Sequence, residues 1–192
     1  MTARVIQTGI LLLCALGGCS DNSRKSLVGN WNIPSDSELG LETITLSFRK
    51  ENGTDYPETL SYSLQPDGAL TIEKGRDHVV CCFGGVDEHL VDSRSTIKLA
   101  IQEQLQIRRA LARLRPQALS NEFPYAIPLG CAFVNDSRTW SNVSFERGKV
   151  GGAFVFQPEC KGFGAENAKH LIRRVVAQLP PVPASAAFLA EP

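Results

Sequence analysis

The strongest constraint on the fold of this chain is a two-residue periodicity interrupted by a turn of fixed chemistry. From Leu41 to Lys50, Ile44, Leu46 and Phe48 alternate with Thr43, Thr45 and Ser47, the pattern of a strand with one buried and one polar face. Thr59 to Gln65 repeats it through Leu60, Tyr62 and Leu64, and Ala69 to Glu73 follows with Leu70 and Ile72 pointing inward. Between these two runs stands Pro66-Asp67-Gly68, in which proline sets φ and glycine accepts a positive φ, so the runs fold back as a hairpin. His78 to Phe83, ended by Gly84-Gly85, predicts a further strand. Trp140 to Arg147 and Lys149 to Gln157 predict a second hairpin around Gly148, with Phe154 and Phe156 on one face and a bulge at Gly151-Gly152.

Two segments carry the helical period instead. Asp92-Ser93 can cap a helix that runs to about Arg115, where Pro116 stops it. Winding that segment gathers Ile97, Ala100, Ile101, Leu105, Ile107, Leu111, Ala112 and Leu114 into one arc. Gln104 and Arg108 fall inside the arc; the expectation is that their stems pack while their heads reach the edge, the alternative a polar pair facing a groove. Ala165 to Leu179 predicts a second amphipathic helix, ended by Pro180-Pro181, and residues 116–138 an irregular connection. The fold class expected is α+β: an antiparallel sheet of about five to six strands with two amphipathic helices on one face. Ser47-Phe48-Arg49 and Ser144-Phe145-Glu146-Arg147 hold similar places in the two halves, leaving a hairpin–helix pseudo-repeat open.

The first twenty residues have a different character. Arg4, the apolar run Ile10 to Leu16, and then Leu16-Gly17-Gly18-Cys19 follow the layout of a cleaved export signal, and the apolar run is shorter than the ~20 residues of a membrane-spanning helix. The ending resembles the lipobox of bacterial lipoproteins. The resemblance implies cleavage between Gly18 and Cys19, acylation of Cys19 (palmitate among the chains), and a membrane partner through that lipid. It places the chain in the cell envelope, and Ser20 leans toward the outer membrane facing the periplasm. An ordinary secreted protein cut nearby is the alternative. The expected organisation is a signal peptide over 1–18, a tether over 19–28, one globular domain over 29–179 and a flexible Pro/Ala-rich tail over 180–192. A tether of that length reaches only ~30 Å.

The chain has 20 basic and 20 acidic residues, and losing Arg4 leaves 19 against 20. That balance argues against nucleic acid as a partner. Of six cysteines, Cys14 leaves with the signal and Cys19 takes lipid, so Cys81, Cys82, Cys131 and Cys160 remain. An even count outside the cytosol favours disulfides, with three pairings open. Cys131–Cys160 is the favoured bridge, because both flank the same predicted hairpin; closing that loop would stabilise by roughly 3 kcal/mol. Cys81 and Cys82 would then bridge to each other, stay free, or each reach one of the distant cysteines.

The densest chemistry lies between Asp77 and His89, which holds His78, Cys81, Cys82, Asp87, Glu88 and His89. Thiolate and imidazole are ligands for zinc and copper, so a metal or thiol-redox site of His78, Cys81, Cys82 and His89 is one reading. Against it, adjacent cysteines on a strand point to opposite faces. A hydrolase could be assembled from Ser93 or Ser95 with His89 and Asp87 or Asp92, but no nucleophile elbow singles out a serine. Arg108, Arg109, Arg113, Arg115, Arg173 and Arg174 gather on the two predicted helices, either as solvated faces or as a patch for anionic headgroups or an acidic partner. No phosphate loop, dinucleotide fingerprint or metalloprotease helix calls for a cofactor. The function expected is a lipid-anchored envelope protein of non-enzymatic binding or accessory type, with an envelope protein as partner; a periplasmic metal-binding or thiol-redox protein is the alternative.

Overall fold

The computed structural model describes residues 34–51, 53–79, 86–128, 131, 140–157, 160 and 162–180. Cys19, Cys81, Cys82, the tether and all of the tail beyond Pro180 lie outside the described residues. In chain order the elements are α1 (Asp36–Leu39), β1 (Thr43–Lys50), β2 (Glu58–Leu64), β3 (Ala69–Val79), β4 (Val86–Lys98), α2 (Ile101–Leu111) with a 3-10 turn (Ala112–Leu114), β5 (Tyr125–Ala126), β6 (Trp140–Arg147), β7 (Val150–Phe156) and α3 (Phe163–Val176). The fold is α+β, with one seven-stranded sheet in the order β4-β3-β2-β1-β6-β7-β5. Every pairing is antiparallel except the short parallel one between β5 and β7. Among the described residues no helix is long and apolar enough to cross a membrane.

The alternation read from the sequence sets the two faces. Cross-strand pairing puts Ile44 opposite Leu64 and Phe145, Leu46 opposite Tyr62 and Val143, and Tyr62 opposite Ile72. These side chains share one face and form the core with Ile107, Leu111 and Leu114 of the α2 region and Ala168, Ile172 and Val175 of α3. The other face carries serine and threonine, tied across strands by Thr45 Oγ1 donating to Ser63 Oγ and by Thr71 and Thr96, each at 3.1 Å. The Pro66-Asp67-Gly68 turn forms as expected: Gly68 has φ of 87° and the Asp67 carboxylate accepts from the Ala69 N–H at 2.9 Å.

Several expectations are corrected. The predicted strands 69–73 and 78–83 are not separate as far as Val79, because β3 runs unbroken from Ala69 to Val79; the rest of the second predicted strand, residues 80–83, lies outside the described residues. The helix does not begin at Asp92-Ser93. Residues 86–98 pair along β3 as the 13-residue β4, and Ile97 stands in that strand, 37% exposed. The helix starts after Ala100, whose N–H donates to the Glu103 carboxylate at 2.8 Å, and it tightens into the 3-10 turn before Arg115 takes the extended backbone that precedes a proline. The connection 116–138 contains β5 and a bridge from Ser120 to Gly151. Gly151-Gly152 is no bulge, since the β6–β7 register runs through it unbroken. A Cβ at Gly151 would meet the Phe123 ring at 2.4 Å, and one at Gly152 the Pro124 carbonyl at 3.0 Å, so the glycines admit the strap that crosses them.

Cys131 and Cys160 are bonded, with Cα atoms 5.6 Å apart and a sequence separation of 29. The bridge ties the segment leading into β6 to the approach to α3. Cys131→Ser is expected to lower the unfolding free energy by about 3 kcal/mol on the chain-entropy account, checked by denaturant unfolding with and without reductant; wild type under reductant should fall to the same value.

Candidate functional site

The densest group of interacting ionisable side chains sits on the polar face of the β3–β4 hairpin. Its assembly depends on a register shift. Glu73 pairs with Arg94 and Lys74 with Ser93, but Gly75 pairs with Val91 and Asp77 with His89. Asp92 is the extra residue, a one-residue bulge. In a regular strand His89 and Arg94, five residues apart, would point to opposite faces. The bulge reverses that parity and brings both onto the face that carries Glu73 and Asp77.

The geometry is a closed relay. His89 Nδ1 lies 2.6 Å from Asp77 Oδ1 and its Nε2 2.9 Å from Glu73 Oε1. Arg94 Nε donates to the other oxygen of Glu73 at 2.6 Å. Beneath the imidazole is Gly75, where a Cβ would stand 2.4 Å from the Leu90 carbonyl and 3.1 Å from His89 Cε1. Glycine is therefore what lets the ring lie across the strand. Gly75→Ala is expected to destabilise by about 1–3 kcal/mol, as overpacking does, and to change the His89 ring resonances in NMR; an unchanged ring environment would contradict this geometry.

Only an imidazolium can donate from both nitrogens, so two flanking carboxylates favour the charged ring. The hydrogen bond to Asp77, more than the one to Glu73, holds the His89 pKa above the ordinary histidine value against the opposing effect of burial. Burial would raise the Glu73 carboxyl, but hydrogen bonds from Arg94 and His89 more than offset it and keep it below the ordinary value. Next to the relay, Arg76 and Asp92 form a more exposed pair at 2.8 Å.

This arrangement bears on each residue singled out by the sequence. The pairing of Asp77 with His89 and of His78 with Glu88 puts His78 and His89 on opposite faces of the sheet, so the two imidazoles do not converge on one ion. His78 stacks on Tyr56, ring centroids 4.9 Å apart. Among the described residues no group of three histidine, cysteine or acidic side chains is placed to hold a metal ion. Ser93 and Ser95 pair with Lys74 and Ile72, on the face away from His89, and Asp92 faces Arg76. The histidine nitrogen that would serve a nucleophile is occupied by Glu73. The relay is a brace between strands and does not have the layout of an acid–base pair.

The arginine cluster is likewise resolved into contacts. Arg108 is 1% exposed, against the expectation that its head reaches the edge. Its guanidinium donates to the carbonyls of Leu39 at 2.8 Å, Glu42 at 2.5 Å and Gln65 at 2.7 Å. Gln104 Nε2 turns back to the Leu99 carbonyl at 2.8 Å. Arg115 clasps the buried Glu42 carboxylate, with Nη2 at 2.7 Å from Oε1, and Arg109 Nε donates to Asp36 at 2.8 Å. Three arginines thus fasten the segment 36–42 onto α2, leaving Arg113, Arg173 and Arg174 exposed. Sequence reasoning missed α1 itself, although Ser35 and Glu38 spell a capping box. It also missed the acceptors of Arg108, which are main-chain carbonyls and carry no side-chain signature.

Compared with protein-family models and with curated proteins, the chain matches none.

Proposed function

We propose that this chain is a lipid-anchored cell-envelope protein of the non-enzymatic binding or accessory type, held through acylated Cys19 and facing the periplasm, with an envelope protein as its partner. The observation that carries the reading is β4. From Glu88 to Lys98 none of its side chains is buried, and the strand lies at the end of the sheet order. Ordering a residue costs about 1–2 kcal/mol of conformational entropy. A stretch that adds no side chain to the core offsets this through its ladder with β3, the Thr71–Thr96 hydrogen bond and its charge pairs. Such a strand presents an open edge of main-chain donors and acceptors, the feature used when a partner adds an extended segment to a sheet. Val91 and Ile97, 46% and 37% exposed, give that edge apolar contacts on its two faces.

The test is capture from detergent-solubilised membranes by the acylated protein and by a Val91→Lys/Ile97→Lys variant. A specific protein retained by the former and depleted roughly tenfold by the latter, a loss of about 1.4 kcal/mol, supports the reading. Absence of a specific partner, or equal capture by both, overturns it. Mass spectrometry of the purified N-terminus separately tests the anchor, which requires acylated Cys19 as first residue.

A further inference from the structure

We propose that His89 is a proton-operated latch that holds β4 against β3, so that loss of its ring proton releases the half of β4 next to the β3–β4 connection. β4 has no buried side chain from Glu88 to Lys98, so hydrophobic burial does not fasten it. That stretch is attached to β3 by the main-chain ladder, itself interrupted by the shift at Lys74/Gly75, by the Thr71–Thr96 hydroxyl hydrogen bond toward α2, and by the charged contacts. Lys98 with Asp67 at 3.1 Å holds the end next to α2, and Arg94 with Glu73 and Arg76 with Asp92 hold the middle. Beyond the bulge, His89 reaches back to β3 through both ring nitrogens.

The groups facing the ring are Asp77 and Glu73 from β3 and, on β4 itself, Arg94 through Glu73 and the nearby carboxylate of Asp92. From β2 the same face is lined next to them by Thr59 and Ser61, which are uncharged. With the proton in place, one imidazolium bridges two carboxylates. With it lost, one ring nitrogen becomes an acceptor facing a carboxylate oxygen at hydrogen-bond distance, and two acceptors repel. The proton goes to solvent; no other bond is made or broken. The geometry gives the sign. The pKa of His89 is raised in the folded chain, so its contribution is fully present below the ordinary histidine value and is lost as pH rises through the raised one. Glu73 is lowered, so its contribution is lost only as pH falls through the carboxylate range. The latch is closed between those limits. For the partner-binding role of β4 the consequence rests on the reading above: an unlatched strand offers no ordered edge. The latch itself is tested on the protein without any partner.

The experiment is amide hydrogen exchange of Leu90 and Val91, referred to core amides of β6 and corrected for intrinsic rates, across mildly acidic to mildly alkaline pH, with the His89 ring followed by NMR. The expected result is a roughly tenfold loss of protection at Leu90 and Val91 on the alkaline side, with its midpoint at the ring titration and none of it in β6. Glu73→Gln keeps the histidine and should move that midpoint down. His89→Gln should abolish the pH dependence whether its β4 stays ordered or not. Protection at Leu90 and Val91 that does not follow the ring titration, or the same pH profile in His89→Gln, overturns the proposal. A partner that binds β4 with no pH dependence would leave the proposed function standing and remove the latch.

Discussion

Arg108→Met is expected to lower the free energy of unfolding by about 2–4 kcal/mol, because hydrogen bonds from a charged donor contribute ~1.5–3 kcal/mol and a buried acceptor loses its partner. Methionine fills much of the same volume, so the loss is not mainly one of packing. It comes from the carbonyls of Leu39, Glu42 and Gln65, which all accept from this one guanidinium. A buried acceptor left without a donor costs about 1–3 kcal/mol; the Leu39 and Gln65 carbonyls keep main-chain donors, the N–H groups of Glu42 and Gly68, so that cost falls chiefly on the Glu42 carbonyl and adds to the loss of the charge-assisted bonds themselves. Burial draws the Arg108 pKa down, with Glu42 opposing, yet a guanidinium stays protonated in proteins, so the effect should not vary across neutral pH. Arg109→Met is the control on the adjacent position. Its ion pair with Asp36 is exposed, and it should lose no more than about 1 kcal/mol. Denaturant unfolding with an unchanged m-value distinguishes them; equal losses would contradict the assignment.

The second large effect is expected at Glu42, which is fully buried. Its carboxylate accepts from Arg115 through both Nη2 and Nε, while its main-chain carbonyl accepts from Arg108. Glu42→Ala removes the negative charge lying between two buried arginines, and a loss of about 3–5 kcal/mol is expected. Adding Arg115→Met to Glu42→Ala should recover part of that loss, since the second change removes the stranded cation; the two sites are in contact and should couple by roughly 0.5–3 kcal/mol. If the double variant loses the full sum of the single changes, Glu42 and Arg115 do not act as a pair.

Both effects concern how the chain enters its domain. The segment 36–42 precedes β1, and its hold on the body comes from Arg108, Arg109 and Arg115 of α2 and the residues following it. Of the arginines that looked like a patch for an acidic partner, Arg108, Arg109 and Arg115 thus act internally, and Arg113, Arg173 and Arg174 stay exposed.

What was legible in the sequence was whatever the hydrophobic period and turn chemistry dictate directly. The alternation of Ile44, Leu46 and Phe48, that of Leu60, Tyr62 and Leu64, and the Pro66-Asp67-Gly68 turn gave three strands and their faces. The apolar period from Ala165 to Leu179 pointed to the last helix, seen at Phe163–Val176, and the cysteines flanking the second hairpin pointed to the Cys131–Cys160 bridge. β4 was not legible, for two physical reasons. The bulge at Asp92 reverses the parity of its side chains, so no two-residue period survives through it, and a strand that buries no side chain from Glu88 to Lys98 has no need there of apolar residues at alternate positions. Asp92-Ser93 then resembled a helix cap. The site was visible in part: His89 stood out, but its partners Glu73 and Asp77 lie across the hairpin and become its neighbours only through the register. Arg108 was placed correctly on the apolar arc and misjudged at its head, because carbonyls brought from residues 39, 42 and 65 cannot be seen in a side-chain pattern.

The most direct test of the account is amide hydrogen exchange on the acylated protein with and without the protein it captures from solubilised membranes. The account predicts that binding slows exchange along β4, from Glu88 to Lys98, more than anywhere else in the sheet. Slowed exchange confined to α3 or to the β6–β7 hairpin, with β4 unchanged, would contradict it.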